Sequence, residues 1–235
     1  MGLVETSRDG DVMVVTLDDG KVNALSFAAL AELNAAFDEA EADSAVKAVV
    51  LAGRDGKFSA GFDLSVMRSG DVDGLRSMLG TGAALGLRIF MFEKPVVLAV
   101  TGHALAMGGI LLTTADWRVG AAGPFKLGLN EVAIGMPVPQ FATELCRNRL
   151  AKAWFTRCLQ HAEVVDPQQA VAAGFLDEVV EPAQVVATAV QRAQHLADTV
   201  HPVPFAMTRR SLRGALAGKL RRELDGDVGA FDVVS

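Results

Sequence analysis

Phe58-Ser59-Ala60-Gly61-Phe62-Asp63-Leu64 and, farther along, Gly102-His103-Ala104-Leu105-Ala106-Met107-Gly108-Gly109 are the stretches whose reading decides the fold. Each concentrates small residues where the backbone must come close to something else, an approach that side chains would block. N–H groups from two such segments, aimed at one oxygen, stabilise negative charge that develops on it during a reaction. The apolar run Val96 to Val100 leads into the second stretch and reads as a buried strand. Beyond it, Leu105 to Thr114 reads as a buried helix with Met107 in its first turn.

Outward from these segments, strands alternate with helices. Val12 to Leu17 and Ala48 to Ala52 are β-branched or apolar runs bounded by polar or glycine-containing stretches, as strands are. Between them Ser26 can cap a helix on which Leu30, Leu33 and Phe37 fall on one face, leaving Glu32, Asp38, Glu39 and Glu41 in water. Asp166-Pro167 has the form of a helix start and Gly174 that of a stop, ahead of a strand from Phe175 to Val180. After Pro182 the pattern is mainly helical. Periodicity alone favours a doubly wound parallel sheet.

Composition narrows the function classes. With 235 residues, 51% of them apolar and 21% charged, the chain can bury one substantial core. A net charge of -6 argues against nucleic acid as a partner, although Arg209-Arg210 and Lys219-Leu220-Arg221-Arg222 form local basic clusters. Cys146 and Cys158 are too few for a disulfide framework and lack metal-site spacing, so they read as small packing residues in a reducing compartment, the cytoplasm. The first residues lack the basic start and apolar run of a signal peptide. Pro95 to Ala115 approaches membrane-spanning length, yet its glycines, threonines and His103 suit a buried strand, turn and helix better, so no membrane span is expected.

Taken in order, the motifs resemble those of the crotonase superfamily, the enoyl-CoA hydratases and isomerases. The resemblance rests on Lys21-Val22-Asn23-Ala24-Leu25-Ser26, the two small-residue segments, Lys94-Pro95-Val96-Val97, Ala115-Asp116, and Leu127 to Met136. It implies an α/β fold: a spiral of β-β-α units over residues 1–182, then a C-terminal helical trimerisation region over residues 183–235. A homotrimer or hexamer is the assembly it implies.

The same resemblance assigns residues to roles. The backbone N–H groups of Phe62 and Met107 match the two oxyanion donors; Met107 stands in a segment that is commonly Gly-Gly-Gly in the family, and a methionine still carries the needed N–H. Ala24, Ala60, Gly61, Asp63, Leu64, Ser65, Gly108 and Ile110 match substrate-binding positions. Family hydratases usually carry two glutamates; here Ile110 occupies the first position and Glu131 the second, as in the single-glutamate Δ3,Δ2-enoyl-CoA isomerases. An isoleucine transfers no proton, whereas a carboxyl group among apolar neighbours can have its pKa raised towards neutrality and both take and return one. The expected substrate is an acyl-CoA, with no metal and no separate cofactor, and the expected reaction moves a 3-enoyl-CoA double bond to the 2-position. The alternatives are a hydratase using one glutamate and a non-catalytic acyl-CoA-binding member.

Other polar residues receive structural readings. His103 is expected to be a hydrogen-bonded structural histidine, Asp116 a capping or pairing residue, and Asp63 a helix-start residue as well as a substrate contact. Glu144 is an auxiliary acid at most.

Overall fold

The computed structural model describes residues 2–67 and 71–229, with the backbone alone for Leu64 and Met67. Strands β1 (Val4–Asp9) and β2 (Val12–Leu17) form an antiparallel hairpin. β3 (Ala24–Leu25) precedes α1 (Phe27–Ala42), which Ser26 caps by accepting the Ala29 N–H, and which buries Leu30, Leu33 and Phe37. β4 (Ala48–Gly53), β5 (Gly56–Ser59) and β6 (Gly61–Phe62) follow, then α2 (Leu64–Met67) and α3 (Val72–Met91). The next turn of chain repeats that order with β7 (Val96–Val100), β8 (Gly102–Leu105) and α4 (Met107–Leu111).

After β9 (Trp117–Ala121) and β10 (Leu127–Gly128), the chain forms α5 (Gln140–Arg149), α6 (Lys152–Leu159) and α7 (Pro167–Ala173). Asp166 and Gln169 make a reciprocal cap at the start of α7, and Gly174 ends it at φ 98°. β11 (Glu178–Val180), α8 (Val185–Thr199) and α9 (Pro202–Gly229) complete the described chain.

Each β-β-α unit sends its first strand into one sheet and its second into another. The large sheet has the order β1-β2-β4-β7-β9-β11, parallel except for its hairpin edge, while β10-β8-β5 and β3-β6 form two small parallel sheets. This spiral replaces the doubly wound sheet that periodicity alone favours. The crossing between units is tight: a Cβ on Gly102 would lie 2.0 Å from the Gly56 carbonyl carbon, so no larger residue fits there.

One face of the large sheet packs on α1, α3 and α4 in the main core. On its other face lie Val185, Ala189 and Ala193 of α8, whose short side chains let that helix lie close over Val50, Val97 and Val119. The long α9 is tied back by Asp116, which accepts the Val96 N–H at 2.8 Å and pairs with Arg209 at 2.5 Å and Arg213 at 3.0 Å. Asp116 thus has the structural role its sequence position implies.

Two elements are shorter than the sequence pattern implies. The helix expected over Leu105 to Thr114 is confined to Met107–Leu111, because Leu105 pairs with Gly128 in the small sheet and the hydroxyls of Thr113 and Thr114 donate to the carbonyls of Ile110 and Leu111. The strand expected from Phe175 begins only at Glu178, since the N–H groups of Phe175 and Leu176 both close α7 on the Ala170 carbonyl.

Candidate active site

The small sheets bring the two glycine-containing segments together. Ser59 anchors the first: its hydroxyl donates to the Asn23 carbonyl and accepts the Gly61 N–H. Gly61 adopts φ 92°, and a Cβ there would stand 2.8 Å from the Ala106 Cβ and 3.2 Å from the Met107 nitrogen. The absence of a side chain at Gly61 therefore leaves the Met107 N–H approachable. Met107 is the first residue of α4, where an N–H has no partner within its own helix.

The residue before that donor is strained. Ala106 sits at φ 50°, ψ -125°, a region that residues with a Cβ rarely occupy, and its N–H is held by the Gly128 carbonyl at 3.1 Å. That bond joins the donor turn to the loop carrying Glu131. The side chain of Met107 is fully buried, its thioether methyl packed beside Gly82 and Gly86 of α3. Gly108 stands behind the turn, where a Cβ would be 2.4 Å from the Ser59 carbonyl oxygen.

A cavity of about 750 Å³ opens in front of these segments. Ala24, Ala60, Phe62, Asp63, Ile110 and Glu131 line it, together with Ala106 and Asn130. Ser65 is exposed and does not line it; its N–H bonds to the Asp63 carboxylate, which starts α2 as expected. The Leu64 side chain lies outside the described residues.

Glu131 begins a 3-10 turn, Val132–Ile134, and its carbonyl accepts the N–H groups of Ile134 and Met136. The loop is thereby pinned under its own carboxyl group. Glu131 is only 6% exposed, and its Oε2 is buried with no hydrogen-bond partner. Loss of water disfavours the charged form and raises its pKa from 4.5 to about 7, although its own N–H opposes the shift. Ile110, 2% exposed, lines the same cavity and supplies no ionisable group.

A second carboxylate at the cavity is fully engaged. Burial would raise the Asp19 pKa, but the N–H groups of Ala24, Asn23 and Lys21 and the charge of Arg54 hold it below its ordinary value. Asn23, at φ 55°, reinforces this loop by donating its side-chain amide to the carbonyls of Leu17, Lys57 and Phe58 while accepting the Asp19 N–H. The span of the Asn23 bonds, from β2 to β5, becomes visible only in three dimensions.

The remaining candidates lie away from the cavity. His103 accepts the Lys126 N–H at Nδ1 and stacks edge-on with Phe125, while burial and then Lys57 and Lys126 lower its pKa. Glu144 pairs with Arg147. Burial raises the pKa of both Cys146 and Cys158, which makes them poor nucleophiles. Among the described residues, no group of three or more His, Cys, Asp or Glu is placed to hold a metal ion, and no helix is long and apolar enough to cross a membrane.

Residues 7–234 match the sequence model of the enoyl-CoA hydratase/isomerase family. The mitochondrial enoyl-CoA delta isomerase 1 of Homo sapiens is 31% identical over 232 residues, covering 97% of this chain and 76% of that one. A short-chain-enoyl-CoA hydratase of Clostridium acetobutylicum is 28% identical, covering 95% and 86%. Among solved structures, an enoyl-CoA isomerase of Mycobacterium tuberculosis superposes with a TM-score of 0.91 at 38% identity, covering 97% of this chain and 99% of the other.

Proposed function

The chain belongs to the enoyl-CoA hydratase/isomerase family, and from that premise we propose that it isomerises 3-enoyl-CoA to 2-enoyl-CoA with Glu131 as the single proton carrier. The observation that carries this reading is the pairing of a desolvated Glu131 carboxyl, its Oε2 without a hydrogen-bond partner, with a buried Ile110 on one cavity. A pKa of about 7 leaves that group able to accept a proton and to return it near neutral pH.

In the proposed cycle Glu131 removes a proton from C2, which the thioester makes acidic. The electron pair of the broken C–H bond moves into the thioester, and the resulting enolate oxygen accepts the N–H groups of Phe62 and Met107. Electrons then return to form the C2–C3 double bond while the C3–C4 double bond takes the proton from Glu131 at C4. No net proton is consumed, so one carboxyl group is enough. Coenzyme A enters as part of the substrate, and the reaction needs no metal or redox group.

Apolar Ile110 favours isomerisation over hydration because it offers no acceptor to hold a water molecule. Purified protein given 3-enoyl-CoA and 2-enoyl-CoA esters decides the matter by product mass and NMR. The proposal expects 2-enoyl-CoA from the former at unchanged mass; rapid conversion of the latter to 3-hydroxyacyl-CoA would replace it with the one-glutamate hydratase. Binding without turnover of either ester would favour the non-catalytic alternative. A trimer or hexamer and a cytoplasmic location belong to the same proposal, supported by the resemblance and the cysteine usage.

A further inference from the structure

Pro139, the residue ahead of α5, makes no side-chain cap to the helix. Its cap comes from the far end of the described chain: the Asp227 carboxylate accepts the Gln140 N–H through Oδ1 and the Phe141 N–H through Oδ2, each at 2.8 Å. Charged acceptors at a helix start are favourable and form the stronger class of hydrogen bonds. Pro139 and Phe141 both line the cavity, so this bond ties the last turn of α9 directly to the cavity wall.

The apolar neighbours of Asp227 reinforce the tie. Val228 packs in one cluster with Leu75, Leu79 and Met136, and Leu224, one turn earlier, packs against the same cluster. Leu79 and Met136 also face the cavity. The wall there is two layers deep, with α9 forming the outer layer, whereas the polar lining of Asp19 and Lys21 comes from the loop before β3. An acyl chain belongs on the apolar wall, and its reach is limited by how firmly that wall is backed.

We propose that the last turn of α9, fastened by Asp227, sets the upper limit on acyl-chain length at this site. Asp227 is a positioning residue: it touches no substrate and acts through α5. The inference rests on the acyl-CoA reading above but not on which reaction follows. Its test therefore uses saturated acyl-CoAs, which neither an isomerase nor a hydratase consumes.

Dissociation constants are measured by calorimetry for butanoyl-, hexanoyl-, octanoyl-, dodecanoyl- and hexadecanoyl-CoA. Wild type should tighten with length and then level off. In Asp227→Ala, hexanoyl-CoA affinity should hold while the dodecanoyl-to-hexanoyl affinity ratio rises by about tenfold or more, because each methylene moved from water to a dry site is worth about fourfold. Asp227→Glu should restore much of the wild-type limit. An unchanged ratio in folded Asp227→Ala, including a uniform loss at every length, overturns the proposal, as does continued tightening of wild type to hexadecanoyl-CoA. If Asp227→Ala fails to fold, Val228→Ala decides: it thins the outer layer with the cap intact, and should raise the same ratio, whereas no change overturns the idea. Turnover of 3-enoyl-CoA, assayed separately, reports whether the isomerase reading itself fails.

Discussion

Gly61 and Met107 meet where the two glycine-containing segments adjoin: a Cβ on Gly61 would stand 3.2 Å from the Met107 nitrogen. Gly61→Ala should therefore block one donor as well as strain a backbone at φ 92°. The expected loss in kcat is about 100-fold to 1000-fold, the usual consequence of losing one oxyanion donor. Steady-state kinetics alongside thermal unfolding separates the blocked donor from collapse. Turnover near that of wild type in a folded variant would remove the Met107 N–H from the mechanism.

Glu131→Gln keeps the size of the side chain and removes its proton. Turnover should fall by about 100-fold to 10,000-fold, the range for a lost general acid-base group, while CoA-ester binding stays close to wild type. Reaction in deuterated water adds a second readout. Isomerisation by wild type should give product without the mass of an added water, any deuterium in it measuring exchange at Glu131 during the cycle, and early accumulation of 3-hydroxyacyl-CoA would speak for hydration.

The same side chain makes a pH prediction whose direction follows from its raised pKa. Between 4.5 and about 7 the folded state holds a proton that the unfolded state has released. The contribution from Glu131 is thus fully present below 4.5 and is lost as pH rises through about 7. The loss is about 3 kcal/mol, taking 1.36 kcal/mol per pKa unit for a buried group. Glu131→Gln should unfold at a higher temperature than wild type at pH 8, with the difference closing at pH 4.5, while wild-type kcat/KM should fall on the acid side of about pH 7. Equal melting temperatures for the two proteins at pH 8 would contradict the desolvated carboxyl.

Ile110 provides the converse experiment. Ile110→Glu places a carboxyl group on the cavity that already holds Glu131, at a stability cost of about 1–3 kcal/mol for a buried polar group lacking partners. Some hydration of a short 2-enoyl-CoA should appear in a variant that circular dichroism shows to be folded. A wild type that already hydrates quickly, with the substitution merely abolishing that activity, would reverse the reading of Ile110.

What the sequence reveals of this molecule is mostly local. Ser26 before Leu30, Leu33 and Phe37, and Asp166-Pro167 before Gly174, define helices through groups a few residues apart, and the structure has those helices with those caps. Val96 to Val100 is legible because a strand covered on both faces is apolar throughout. By contrast, β3 and β6 are two residues long and exist only because Ala24 pairs with Gly61 and Leu25 with Phe62, partners separated by a whole helix and two strands. The burial of Glu131 is likewise a tertiary property, since by itself a glutamate reads as a surface residue. Asp227 gives no local sign of its role because the helix it caps starts 87 positions away.

The loop at the polar edge of the cavity is fastened from within: Asp19 receives the N–H groups of Lys21, Asn23 and Ala24, and Asn23 grips three carbonyls. The entropy of ordering that edge is therefore borne by folding and not repeated at each encounter with a ligand. A ligand that meets this loop docks onto a preformed rim, and its affinity there is not reduced by the cost of ordering it.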